Sequence, residues 1–209
     1  MIHDITRRVH ENTAVWPGDQ PCRLRHSMRK SEGAAVNLTA MEATLHLGTH
    51  MDAWYHCDDE GAAAAGMPLA ACIGPARLLT VSRQDGPLAP ADLAHVSLAG
   101  IERLLIRSEV SQLPEDQWPQ TWPWPGEALI GQLAKGGLRL LGLDSPSVDA
   151  GDSETLPGHH ALRRHGIVTL ESLWLRDVPD GDYELVALPL RLEGACASPV
   201  RAILRPLAD

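Results

Sequence analysis

The stretch Thr44-Leu-His-Leu-Gly-Thr-His-Met-Asp-Ala-Trp-Tyr-His56 is where metal-competent side chains crowd together in this 209-residue chain. His46, His50 and Asp52 fall within seven residues, and His56 follows four positions later. A catalytic zinc takes three nitrogen or oxygen ligands and keeps one position open for water. Two neutral imidazoles and one carboxylate leave enough charge on such an ion to acidify that water towards neutral pH. In an extended segment alternate residues share a face, so positions 46, 50 and 52 point one way while Leu45 and Leu47 point the other. A helix would also align 46 with 50, although Gly48 and the β-branched Thr44 and Thr49 count against it. The competing reading is a chance collection of surface or internally bonded histidines. Asp52 and His56, set in an otherwise apolar stretch with a glycine, favour the metal.

A second group lies in Gly158-His-His-Ala-Leu-Arg-Arg-His-Gly-Ile-Val-Thr-Leu-Glu171, where His159 or His160 and Glu171 offer ligands for a second ion. A histidine pair beside arginines reads equally as a solvated helix start. Asp144 and Asp149, in Leu143-Asp-Ser-Pro-Ser-Val-Asp149, stand after an expected strand, where sites form in α/β sheets. Backbone-bonding turn chemistry explains these two aspartates just as well.

The elements that must position these groups are mixed. Residues 102–107 and 138–144 have the length and apolar content of buried strands, and 167–170, 182–191 and 200–205 are further strand candidates. Helices are expected over 127–135, closed by Gly136-Gly137, and over 158–165, ending at Gly166. Four prolines between Leu113 and Gly126 forbid a regular helix or a central strand there and point to a long surface or lid loop. The expected fold is α/β or α+β with a mainly β centre and flanking helices. At ~150 residues per domain, residues 1–209 make one domain with a core that needs neither disulfide nor metal to fold.

Composition narrows the function. Eighteen basic against 27 acidic residues leave a net charge of −9, which argues against nucleic acid and anionic membrane surfaces as partners. No apolar run approaches the ~20 residues of a membrane span, and the amino terminus has no apolar signal region. Cys22, Cys57, Cys72 and Cys196 show no CxxC spacing and read as reduced, mostly structural thiols of a cytoplasmic protein. No Gly-x-Ser-x-Gly elbow is present, which removes a serine hydrolase of that type.

His46-Leu-Gly-Thr-His50-Met-Asp52-Ala53, followed by His56, resembles the His-x-Gly-Thr-His-x-Asp-Ala-Pro-x-His motif of the metal-dependent cyclase/formamidase superfamily. Val15-Trp-Pro-Gly-Asp19, Gly142-Leu-Asp-Ser-Pro-Ser-Val-Asp149 and the twelve-residue spacing from His159 to Glu171 resemble further blocks of it. The likeness covers essentially the whole chain and is strongest, from Asp149 to Pro199, to the bacterial arylformamidase (kynurenine formamidase) family. The resemblance implies a swivelling β/β/α fold with a barrel-like β centre, a homodimer, and two zinc ions per chain, with Mn or Co also accepted by such ligands. It implies His46, His50 and Asp52 as ligands of the first ion, with Asp52 bridging to a second held by His159 and Glu171. His56 matches the acid/base histidine. Trp16 matches a residue that could stack on an aryl ring, against the plainer reading of a packing tryptophan. Trp54 stands where the motif has proline, on the approach to His56, and so bears on substrate preference.

The reaction implied is hydrolysis of N-formyl-L-kynurenine to L-kynurenine and formate, in tryptophan degradation, by a metal-bridging hydroxide with a histidine acid/base. The partner is then a small aryl formamide. Two other readings compete: hydrolysis of another aryl or cyclic amide such as isatin, and a metal-binding module without catalysis. A non-ligand histidine at position 56 counts against the latter.

Overall fold

A computed structural model describes residues 1–207. Among these the strands are β1 (His3–Asp4), β2 (Arg23–Met28), β3 (Leu38–Glu42), β4 (His50–Asp52), β5 (Ile73–Thr80), β6 (Gly86–Leu88), β7 (Arg103–Arg107), β8 (Pro123–Pro125), β9 (Leu140–Leu143), β10 (Val168–Glu171), β11 (Gly181–Val186), β12 (Ala197–Pro199) and β13 (Ile203–Pro206). Two α-helices join them, α1 (Glu127–Lys135) and α2 (Pro157–Arg164).

Nine strands form one curled, open sheet in the order β1-β13-β11-β5-β7-β9-β10-β4-β12. Its centre, β5-β7-β9-β10, is parallel, and both flanks are antiparallel. β7, β9 and β10 are buried along most or all of their length, as parallel strands covered on both faces are, and the core residues of the central strands divide by the two-residue period. Leu78, Leu105, Leu140 and Leu170 enter one core with Ile5, Met51 and Leu204. Leu79, Leu104, Ile106, Leu141 and Leu143 enter the other, beneath Leu129, Ile130 and Leu133 of α1 and Leu162 of α2. This is the mixed α/β fold with a β centre and flanking helices that the sequence leads one to expect.

The structure moves several boundaries. The strand expected over 182–191 ends at Val186, with only an isolated bridge from Pro189 to Val200, and the one expected over 200–205 runs from Ile203. β1, β5, β12 and the β2–β3 hairpin lie outside the strands expected from the sequence. Within the proline-rich loop a short strand does form: β8 pairs with β6 in a two-stranded sheet of its own, an edge position that tolerates proline.

The largest correction concerns the segment holding the first histidines. It is neither one strand nor a helix. Only His50–Asp52 is extended, and His46 precedes it in a turn whose Gly48 takes a left-handed φ of +57°. That conformation suits glycine, and it brings His46 towards His50.

Candidate metal centre

β4 lies between β10 and β12, and its register places Glu171 opposite His50 and Thr169 opposite Asp52. His50 and Asp52 share a face, while Met51 between them is fully buried in the core. α2 brings His159 in from the far side. Its first amides, those of Gly158 and His159, donate to the Asp149 carboxylate at 2.7 and 3.0 Å. A Cβ on Gly158 would lie 2.4 Å from the Val148 carbonyl oxygen, so only glycine lets the helix start this close.

The five side chains converge. His46 Nδ1 stands 3.2 Å from His50 Nε2 and 3.0 Å from Asp52 Oδ1, and His50 Nε2 is 3.4 Å from the same oxygen. Ligands of a tetrahedral zinc with bonds of ~2.0–2.1 Å stand about 3.4 Å apart, so this triangle suits one ion. On the other side His159 Nε2 lies 3.3 Å from Asp52 Oδ2 and 3.7 Å from Glu171 Oε1. Glu171 Oε2 is 3.4 Å from His50 Nε2. Asp52 Oδ1 is buried and, despite its two imidazole neighbours, has no hydrogen-bond partner. An orphaned carboxylate oxygen among ring nitrogens fits a cation. His160, by contrast, is exposed and lines a surface depression with Asp58 and Arg163.

Electrostatics tell the same story. Burial alone would lower the His46 and His50 pKa values, but the facing Asp52 carboxylate and, respectively, the contacts with Cys196 and Glu171 outweigh it and raise them to about 9 and about 10. Burial would raise the Asp52 carboxyl, yet contacts with His159, His46 and His50 hold it well below its ordinary value. Positive charge is what this cluster attracts, and metal binding would displace those protons.

The far nitrogen of each of the three inner histidines is also held. His50 Nδ1 bonds to the Gly48 carbonyl at 2.9 Å and His159 Nδ1 to Asp149 at 2.7 Å. His46 Nε2 meets Cys196 Sγ at 3.4 Å. Such partners fix the tautomer and leave the inner nitrogen free for a metal. Asp149, left open from the sequence, therefore both caps α2 and orients His159. Cys196 was missed, because nothing near it in the sequence marks it out. It lines the cavity over the cluster, and its contacts with His46 and His56 bring its thiol down to about 6. Asp144 is structural: it accepts bonds from the amides and hydroxyls of Ser108 and Ser111 at 2.7–3.0 Å.

His56 ends a short 3-10 turn, and its ring centroid lies 4.4 Å from that of His46 and 5.3 Å from that of His159. A cavity of about 450 Å³ opens over the cluster, lined by Trp16, Trp118, His46, His56 and His159 among others. Trp16 is thus a cavity residue and not a core one. Trp54 turns away from this space: its indole N–H donates to the Ile167 carbonyl at 3.2 Å, and the Arg163 guanidinium covers its ring at 5.2 Å. Where the motif has proline, this chain locks the turn with an indole.

Comparison with known proteins agrees with this architecture. Residues 3–150 match the family model described as Cyclase. The chain belongs to the cyclase family. A kynurenine formamidase from Salinibacter ruber is 42% identical over 207 residues, spanning 99% of this chain and 98% of its own. One from Bacillus cereus is 40% identical over 204 residues, spanning 98% and 97%. Among solved cyclase-like structures, a "Potential Metal-Dependent Hydrolase With Cyclase Activity" superposes with a TM-score of 0.85 at 26% identity, covering 100% of this chain and 99% of its own.

Proposed function

We propose that this cyclase-family chain, acting as one domain over residues 1–209, hydrolyses N-formyl-kynurenine to kynurenine and formate as a step of tryptophan degradation. The observation that carries this reading is the pair of donor sets sharing Asp52, beside a histidine outside both sets, in a chain 42% identical to a kynurenine formamidase. His46, His50 and Asp52 would hold one ion, and Asp52, His159 and Glu171 a second. Nitrogen and oxygen donors suit zinc, with Mn or Co as competitors. When bound, such a pair supplies an acidified water and a Lewis acid for the formyl oxygen.

The chain's own residues supply the rest. His56 takes a proton from the attacking water and delivers one to the aniline nitrogen as the C–N bond breaks. Formate and the aryl amine leave, so atoms and protons balance. Trp16 offers its ring to the aryl group. Gly48 and Asp149 hold His50 and His159 by the nitrogen that faces away from the cluster.

The reading is tested by assaying N-formyl-kynurenine and isatin in parallel, with metal measured by elemental analysis on the same sample. The expected result is turnover of the formamide, close to two zinc ions per chain, and loss of activity on chelation. A metal-free sample with full activity overturns it. Preferential isatin turnover would favour the cyclic-amide reading, and bound metal without turnover of either compound the binding module. His159→Ala is expected to lose metal and turnover sharply, whereas exposed His160→Ala keeps most of both; the reverse order would place the ligand one residue later.

The homodimer has its support in the β2–β3 hairpin. Leu24, Met28, Leu38 and Met41 are all exposed on it, and a two-stranded ribbon is marginal without something to pack against. A solution mass twice that of the 22.6 kDa chain is expected from light scattering, and a monomer would remove this part of the proposal. We place the enzyme in the cytoplasm because all four cysteines are free, as a reducing compartment keeps them.

A further inference from the structure

The proline-rich loop before α1 carries Trp118, Trp122 and Trp124, and the formamidase reading gives none of them a task. Trp122 is buried. Its indole N–H donates to the Asp149 carbonyl at 2.9 Å, and its ring packs on Gly151 so closely that a Cβ there would meet it at 2.7 Å. Trp16 and Trp118 lean on this post and on each other edge to face. Their centroids are 6.0 and 6.3 Å from that of Trp122 and 5.5 Å apart. Prolines at 114, 119, 123 and 125 restrict the backbone that presents them, so little freedom remains to be lost on binding.

Trp16 and Trp118 both line the cavity over the histidine cluster, and both also line an outer cavity of about 650 Å³ whose wall combines Trp122 and Trp124 with the acidic Asp85 and Asp152. The indole pair therefore stands between the reacting end and an antechamber with both aromatic and acidic walls. A flat ring held at this pair can present an N-acyl group inward while its other substituents extend outward.

We propose that Trp118 is a specificity-determining residue that, with Trp16, binds the aryl ring of an aryl amide, and that the antechamber takes the ring's side chain. This deepens the formamidase reading and rests on it. An aliphatic formamide would find no such partner, whereas a ring gains both the area it buries and the edge or face contact of an indole.

The test compares zinc-loaded wild type with Trp118→Phe and Trp118→Leu. Kinetics are measured on N-formyl-kynurenine and formanilide, and binding of the unreactive aryl ketone 2-aminoacetophenone by calorimetry. In Trp118→Leu, KM is expected to rise about tenfold with kcat within about twofold, and 2-aminoacetophenone to bind about tenfold more weakly. Trp118→Phe should stay within about threefold of wild type, with metal content and melting temperature unchanged in both. Unaltered KM and affinity in Trp118→Leu overturn the proposal, as do equal losses in both variants with a lowered melting temperature, since those mean a packing role. If wild type turns over neither formamide, the formamidase reading has failed and binding alone decides. Affinity present in wild type and lost in Trp118→Leu still supports the aryl subsite, and no binding by wild type, or equal binding by both, overturns it.

Discussion

Alanine at position 52 is expected to empty the site and abolish turnover while the chain stays folded. One oxygen of Asp52 faces His46 and His50 and the other faces His159, so a single substitution takes a ligand from both proposed ions. The fold should survive, because the neighbouring Met51 and Ala53 remain in a core that owes nothing to metal. Elemental analysis after dialysis against buffered zinc, with circular dichroism on the same sample, checks both halves. Retention of two ions by Asp52→Ala would sink the bridging role.

The metal-free wild type carries a pH signature of the same contacts. Asp52 is held below its ordinary 3.8, so its contribution to stability is complete above that value and is lost as pH falls through the folded pKa. His46 and His50 are raised from 6.5 to about 9 and about 10, so theirs is complete below 6.5 and fades as pH rises through those values. Thermal melts of metal-free wild type should therefore show this contribution at its fullest between about pH 4 and 6.5 and declining towards pH 10. Metal-free Asp52→Ala should show a flatter profile.

His56→Ala should part from Asp52→Ala in its metal content. The zinc content stays near wild type and the rate falls by about 10²- to 10⁴-fold, the usual range for a general acid–base group. The distinction is sharp because the imidazole of His56 lies close enough to Asp52 and His159, and to His46 and Cys196, to act as a ligand. Zinc measured on the purified variant decides the matter. If His56→Ala comes out empty, the residue is a ligand and the acid/base group lies elsewhere.

Several parts of this molecule were legible in the chain itself. The helix over 127–135, the glycine that ends the next helix at 166, and the apolar strands around 103–107 and 140–143 follow from local periodicity and capping. The shared face of His50 and Asp52 follows from the two-residue period of a strand, with Met51 as its buried counterpart. The motif around His46 and the spacing from His159 to Glu171 mark the five candidate ligands in the chain itself.

Pairing and turn geometry decided the rest. His46 reaches the cluster through the left-handed Gly48 and not along a strand, because a local turn overrode the alternation that its spacing suggested. Cys196 meets His46 from 150 positions away, since β12 pairs with β4 and the residue just before β12 falls beside the site. Asp149 reads as turn chemistry in one dimension, and it becomes the orienting partner of His159 only when α2 docks its first turn on that carboxylate. Trp118 lies in a stretch whose prolines announce a loop, while its place over the histidines depends on Trp122 being anchored to Asp149. Side-chain type and local period are properties of the chain. Which distant residues complete a site is set by the register of the strands and the docking of the helix, and a one-residue slip in that register would turn His50 and Asp52 away from Glu171.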